Sequence, residues 1–123
     1  MKIDRAYDRV LMKKVSEMLV AISGDLLKTP DSLIEIQAHL DLVAHAWNLS
    51  ILPKEKEIIE LQKFLKKQEP YAPSPEALKG LESEYRRIIE QKQKLYPDVL
   101  SKIKHAEAVE TSKDNYIIRA YFV

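Results

Sequence analysis

Hydrophobic residues recur every three to four positions over most of the chain, which is the spacing of an amphipathic α-helix. Thr29 and Pro30 fit the cap and first position of a helix, because the N–H that proline lacks has no intrahelical partner there. Gly24 suits the residue after a helix, where a left-handed backbone favours glycine. The pattern predicts four helices, at about residues 4–23, 30–49, 53–67 and 75–95.

The second predicted helix is the candidate centre of the core. It is apolar on most of its sides, and no Lys or Arg occurs between Lys28 and Lys54. A helix with this pattern is usually buried by its neighbours. Trp47 continues its main apolar stripe, which predicts packing in the core rather than a place in a binding pocket.

The pattern changes after Pro97, where residues alternate loosely and β-branched and aromatic side chains become frequent. A polar cluster at residues 112–115 separates two such segments, which predicts a β-hairpin with arms at about 102–111 and 116–123. The first arm also contains enough Ala, Glu and Lys to form a helix. The expected fold is therefore α+β and mainly α, with a four-helix bundle-like core and a C-terminal β-hairpin in one domain, residues 1–123.

The predicted hairpin suggests where this chain could make contacts. A two-stranded hairpin is only marginally stable alone in water, and an apolar edge strand invites pairing with another chain. We therefore expect the last strand to pair with a second copy or with another protein. The candidate interface residues are Tyr116, Ile118, Tyr121 and Phe122. The alternative is that the hairpin packs on the helices and its edge is covered locally.

Composition excludes several classes of protein. The 123 residues contain no cysteine, which removes disulfides and thiolate chemistry, and the formal net charge is only +1. Gly24 and Gly80 are too far apart to build a phosphate-binding glycine loop, so no cofactor is expected. No apolar run reaches membrane-spanning length, and the first residues lack the apolar core of a signal peptide. The expected location is cytoplasmic, without membrane contact.

One polar group on the second helix is a candidate for catalysis. Asp41, His45 and Asn48 fall on one strip of the helix, so Asp41 could orient His45 as a base. His105 could join them as a third metal ligand, but the helical spacing of known His-based metal motifs is absent, and we predict no metal site. The alternative is that these residues lie along one less-buried strip of the central helix, or satisfy one another where the helix crosses a neighbour.

A basic stretch offers another possible function. Between Tyr85 and Lys104 there are six basic residues and two acidic ones. Arg86, Arg87 and Lys94 could contact nucleic-acid phosphates, although the near-neutral total charge argues against this. The sequence favours a non-enzymatic interaction or assembly domain, which would be homodimeric through the C-terminal strand. Nucleic-acid binding is the alternative, and a hydrolytic or metal site on the second helix is less favoured.

Overall fold

The computed structural model describes the backbone of residues 5–24, 32–112 and 115–123, with side chains from residue 14 onward in those ranges. It contains α1 (Arg5–Ser23), α2 (Leu33–Ser50), α3 (Lys54–Gln68), α4 (Pro75–Leu95), β1 (Ile103–Ser112) and β2 (Asn115–Phe122). A short 3-10 turn, Glu69–Tyr71, lies between α3 and α4. Four helices followed by an antiparallel hairpin confirm the predicted mainly helical α+β fold.

The described start of α2 differs from the prediction. Ser32 caps the helix with an extended backbone, and its side chain accepts a hydrogen bond of 3.1 Å from the Glu35 N–H. This satisfies one of the N–H groups that a helix start leaves without an intrahelical partner. The helix therefore begins at Leu33, three residues later than predicted; Thr29 and Pro30 lie outside the described residues.

The core is centred on α2, which packs against β1 on one side and α4 on another, while α1 packs against β2. Trp47 is fully buried at this centre. Its indole N–H donates to the Ser101 carbonyl over 2.9 Å, and its ring lies beside the rings of Tyr96 and Phe122. The predicted core role of Trp47 is confirmed, and this side chain joins the helices to the hairpin.

The hairpin has an inner and an outer face. The register pairs Ala106 with Ala120 and Ala108 with Ile118, and these residues pack toward the helical core. Because successive side chains of a strand point to opposite faces, the residues between them lie on the other side. We call this side the outer face; it carries His105, Glu107 and Val109 from β1 and Ile117, Arg119 and Tyr121 from β2.

The two strands pair as far as Ser112 and Asn115, and residues 113 and 114 of the predicted polar cluster lie outside the described residues. Within the described ranges, none of the helices combines the length and the apolar character needed to cross a bilayer.

Candidate functional site

Two amide side chains of α2 hold the edge of β1. Asn48 accepts a hydrogen bond of 2.7 Å from the Ile103 N–H and donates one of 3.0 Å to the Ile103 carbonyl. Gln37 accepts from the Ala108 N–H over 2.8 Å and donates to the Ala106 carbonyl over 3.1 Å. We call Gln37 and Asn48 the amide clamp; it satisfies backbone groups that β1 does not pair with β2.

The spacing of the amide clamp follows from the geometry of the two elements. Positions 37 and 48 are 11 residues apart, which is about three helical turns, so both side chains leave α2 on nearly the same side. Backbone groups of a strand alternate in direction, so Ile103 and Ala106 would normally point to opposite edges. An irregularity in the register between Ile103 and His105 changes that alternation and turns both toward α2.

The structure separates the three residues of the predicted polar strip. Asn48 belongs to the amide clamp, and Asp41 lies on the exposed side of α2, where its carboxylate accepts a hydrogen bond of 2.8 Å from Gln37. His45 points elsewhere, toward α3 and α4. The strip is therefore divided between a strand contact and a helix contact, and each of its three residues has a partner outside the strip.

His45 occupies a small aromatic cluster between α2, α3 and α4. A hydrogen bond of 2.7 Å joins its Nδ1 atom to the Tyr85 hydroxyl, and the rings of Phe64 and Tyr85 meet its ring edge to face. Burial lowers the pKa of His45 below its usual 6.5 and raises the pKa of Tyr85 above its usual value. Both shifts favour the neutral forms, which makes this a packing contact between helices.

The described residues give little support for a metal site or for a catalytic pair of Asp41 and His45. Within the described ranges, no group of three or more His, Asp or Glu side chains is placed to hold a metal ion. The Asp41 carboxylate binds Gln37 rather than orienting His45. His105 lies on the outer face of the hairpin, where its Nε2 atom is 3.4 Å from Glu107.

The arginines of the basic stretch are engaged within the fold. Arg86 donates two hydrogen bonds, of 3.2 and 3.0 Å, to Glu82 one helical turn earlier. Arg87 donates to the Ser23 carbonyl at the end of α1 and to Glu84, both over 2.9 Å. Arg87 thus provides a hydrogen-bond donor and a positive charge at the carbonyl end of α1, where a helix favours both.

The lysines of this stretch divide into buried and exposed positions. Lys92 is only 2% exposed; its Nζ atom donates to the Val99 carbonyl over 2.6 Å and lies 5.1 Å from the centre of a Trp47 ring. Burial lowers its pKa, although nearby Asp98 acts in the opposite direction. Lys94 is exposed. The candidate residues Arg86, Arg87 and Lys94 therefore do not form one cluster of unpaired positive charges.

A solvent-open cleft of about 550 Å³ lies between the end of α2 and the start of α3. Leu49, Leu52 and Ile59 provide its apolar surface, and its charged lining is mixed, with Lys56, Glu60 and Lys102. Asn48 also borders it, but Ile103 already engages that amide. The cleft has the volume of a ligand pocket, but it is open to solvent. Pockets for small molecules, in contrast, bury most of their ligand.

The hairpin residues predicted as an interface lie on both faces. Tyr116, Ile118 and Phe122 are half-buried and pack against the core, whereas Tyr121 lies on the outer face. The amide clamp covers the edge of β1, so this strand edge is covered within the chain. Pairing through the edge of β2 stays a prediction.

The outer face combines apolar and charged side chains in a regular arrangement. Ile117 and Tyr121 are 42% and 38% exposed, and Val109 stands directly opposite Ile117 in the register. Glu107 stands opposite Arg119 in the middle of the face. Of the four residues predicted from their apolar character, Tyr121 belongs to this face; alternation along both arms is the signal that identifies the others.

No family model, curated protein or solved structure matches this chain. The structural and chemical features of the chain itself therefore carry the functional proposal.

Proposed function

We propose that this chain is a non-enzymatic protein-interaction domain and that the outer face of the hairpin is its binding surface. The observation that carries the proposal is the partly exposed apolar set Val109, Ile117 and Tyr121 on one open sheet face. Aromatic and aliphatic side chains of this kind, bordered by charges, are typical of protein interfaces.

The way in which the hairpin is held supports this role. The inner face packs on the helices, Trp47 contacts Phe122, and the amide clamp fixes β1 at both ends of α2. These contacts restrict the hairpin before any partner arrives, and preorganisation lowers the entropy cost of binding. A hairpin anchored in this way can present six side chains in a fixed pattern.

The outer face also contributes little to the folded core. Ile117 and Tyr121 do not belong to the cluster of buried or partly buried hydrophobic residues that packs around α2. An exposed residue can be replaced with an effect on stability of only about 0.5 kcal/mol. Variants of this face therefore test binding without unfolding the protein.

Site-specific photocrosslinking tests the proposed binding surface. A benzophenone amino acid replaces Tyr121 in one version of the full chain and Tyr71 in another. Tyr71 is the matched control, because it is also a tyrosine, is 82% exposed and lies on the turn between α3 and α4. Each version is made in the cells that naturally produce the protein and is irradiated there.

The expected result is a discrete crosslinked polypeptide from position 121 and only background from position 71. Mass spectrometry then identifies the crosslinked chain and the residues that were joined. Equal products from both positions, no product from position 121, or adducts of nucleic acid at that position would contradict the proposal.

A further inference from the structure

We propose, on the basis of the proposed binding function, that the partner of the outer face is a second copy of this chain. The two copies would pack sheet against sheet, about a two-fold axis that runs parallel to the strands. A contact of this type uses the same surface on both molecules, so the surface must be complementary to itself.

The outer face has three cross-strand rows, which the register fixes. The pairs are His105↔Tyr121 at one end, Glu107↔Arg119 in the middle and Val109↔Ile117 at the other end. Each row has its own character, since one is aromatic, one is charged and one is aliphatic. The rings of the first row already lie 5.9 Å apart within one copy.

A two-fold axis parallel to the strands places β1 of one copy over β2 of the other and leaves the order of the rows unchanged. Glu107 then faces Arg119 of the second copy, and Arg119 faces its Glu107. The aliphatic row meets the aliphatic row, and the aromatic row meets the aromatic row. Facing sheets lie about 10 Å apart, a distance that opposed Glu and Arg side chains can span.

The other in-plane axis gives a much poorer match. An axis perpendicular to the strands places Glu107 over Glu107 and Arg119 over Arg119 in the two copies. It also sets the aromatic row against the aliphatic one. Juxtaposed like charges disfavour an interface, so the charge pattern selects the axis parallel to the strands.

The size of the face sets the strength of this contact. Strands of eight residues are about 26 Å long, and two strands are about 10 Å wide, so each copy contributes about 260 Å² of sheet area. Stable dimers bury about 800 Å² on each partner. We therefore expect a reversible dimer with a dissociation constant of about 10 µM or weaker.

Charge reversal tests both the partner and the axis. The variants are Glu107→Arg, Arg119→Glu and the double exchange, each studied by sedimentation equilibrium on the full chain. Each single variant should weaken self-association by about tenfold or more, because like charges then face each other across the dimer. The double exchange should restore association, since both opposed pairs return.

A mixture of the two single variants is the decisive sample. One variant then carries two arginines and the other two glutamates, so the mixed dimer has opposite charges at both contacts. Equimolar mixing should restore association to within about threefold of the unmodified chain. Rescue by mixing has no intramolecular explanation, because the charges within each chain are unchanged.

Three outcomes would overturn the inference: no self-association of the unmodified chain, association that is insensitive to these charges, or no rescue in the mixture. Charge-insensitive dimers would indicate another contact, such as pairing through the edge of β2. A monomeric chain that still crosslinks another protein from position 121 would refute only the second-copy partner. Loss of that crosslink as well would refute the proposed binding surface itself.

Discussion

Asn48 fixes the start of the hairpin, because its side chain forms hydrogen bonds with both the N–H and the carbonyl of Ile103. Ile103 is almost completely buried. Removing a partner from a buried polar group costs more than a hydrogen bond contributes on average, because the remaining group stays desolvated.

Asn48→Ala should therefore lower the free energy of unfolding by about 2 kcal/mol. Urea denaturation monitored by Trp47 fluorescence measures this change. Gln62→Ala is the matched control, because Gln62 is an exposed amide on α3. The control should change stability by less than about 0.5 kcal/mol. Equal effects of the two substitutions would show that the contacts of Asn48 with β1 contribute nothing.

His45 should make stability depend on pH in a defined direction. Its folded-state pKa lies below 6.5 because burial disfavours the charged ring. The unfolded chain therefore binds the proton first as the pH falls through about 6.5, and stability decreases until the lowered folded pKa is passed. Above that window the neutral ring contributes its full stability.

His45→Asn removes this titration and retains a polar group near the Tyr85 hydroxyl. The difference in unfolding free energy between the unmodified chain and this variant should be constant above about pH 7 and should shrink toward pH 5. Urea midpoints measured across that range provide the comparison. Parallel pH profiles for the two proteins would contradict the assigned protonation behaviour.

At the scale of helices and strands, the two glycines of the chain should respond in opposite ways to the same substitution. Gly24 has a φ of +62°, and an added Cβ would lie 3.0 Å from the Arg87 guanidinium that contacts the end of α1. Gly80 lies inside α4, and an added Cβ would meet nothing within 4 Å.

Gly24→Ala should destabilise the protein by about 1 kcal/mol, because a residue with a side chain is strained at positive φ. Gly80→Ala should stabilise it by about 0.5 to 1 kcal/mol, because alanine loses less backbone entropy within a helix. Thermal and urea unfolding of the pair give the two signs. A stabilising effect at position 24 would show that the left-handed turn is not needed.

The elements themselves were largely predictable from the sequence. The periods of 3.6 and 2.0 residues identified four helices and two strands, and α4 begins and ends at residues 75 and 95, as the pattern predicted. The start of α2 was placed too early because Pro30 suits a first turn, whereas Ser32 forms the cap. A proline is permissive for a helix start, but a capping hydrogen bond fixes it.

The tertiary roles of polar residues were much less predictable. Asn48 was noticed because of its neighbours on α2, yet its partner Ile103 is 55 positions away in the sequence. Gln37 gave no signal of its own and was missed. Contacts of this kind depend on how α2 and β1 are placed in three dimensions, which periodicity along one element does not encode.

At the scale of the whole molecule, contacts within the chain already engage charged and polar residues that were candidates for binding or catalysis. The arginines of the basic stretch bind acidic side chains or a helix end, and Lys92 is buried against Trp47. The polar strip of α2 is divided between β1 and the aromatic cluster. The outer face of the hairpin combines partly exposed apolar residues with opposite charges in register.

Sedimentation velocity tests whether this face joins two copies of the chain. The unmodified chain, Ile117→Asp and Ile59→Asp are compared from about 10 µM to about 1 mM, the range expected for an interface of this size. Ile59 is the matched control, an isoleucine on α3 that is 52% exposed. Circular dichroism confirms that all three are folded.

If the outer face joins two copies, the sedimentation coefficient of the unmodified chain and of Ile59→Asp should rise with concentration toward that of a dimer. Ile117→Asp should sediment as a monomer throughout, because a buried carboxylate in the aliphatic row is costly. Identical monomeric behaviour of all three proteins, or equal association of all three, would contradict a contact between two copies through the outer face.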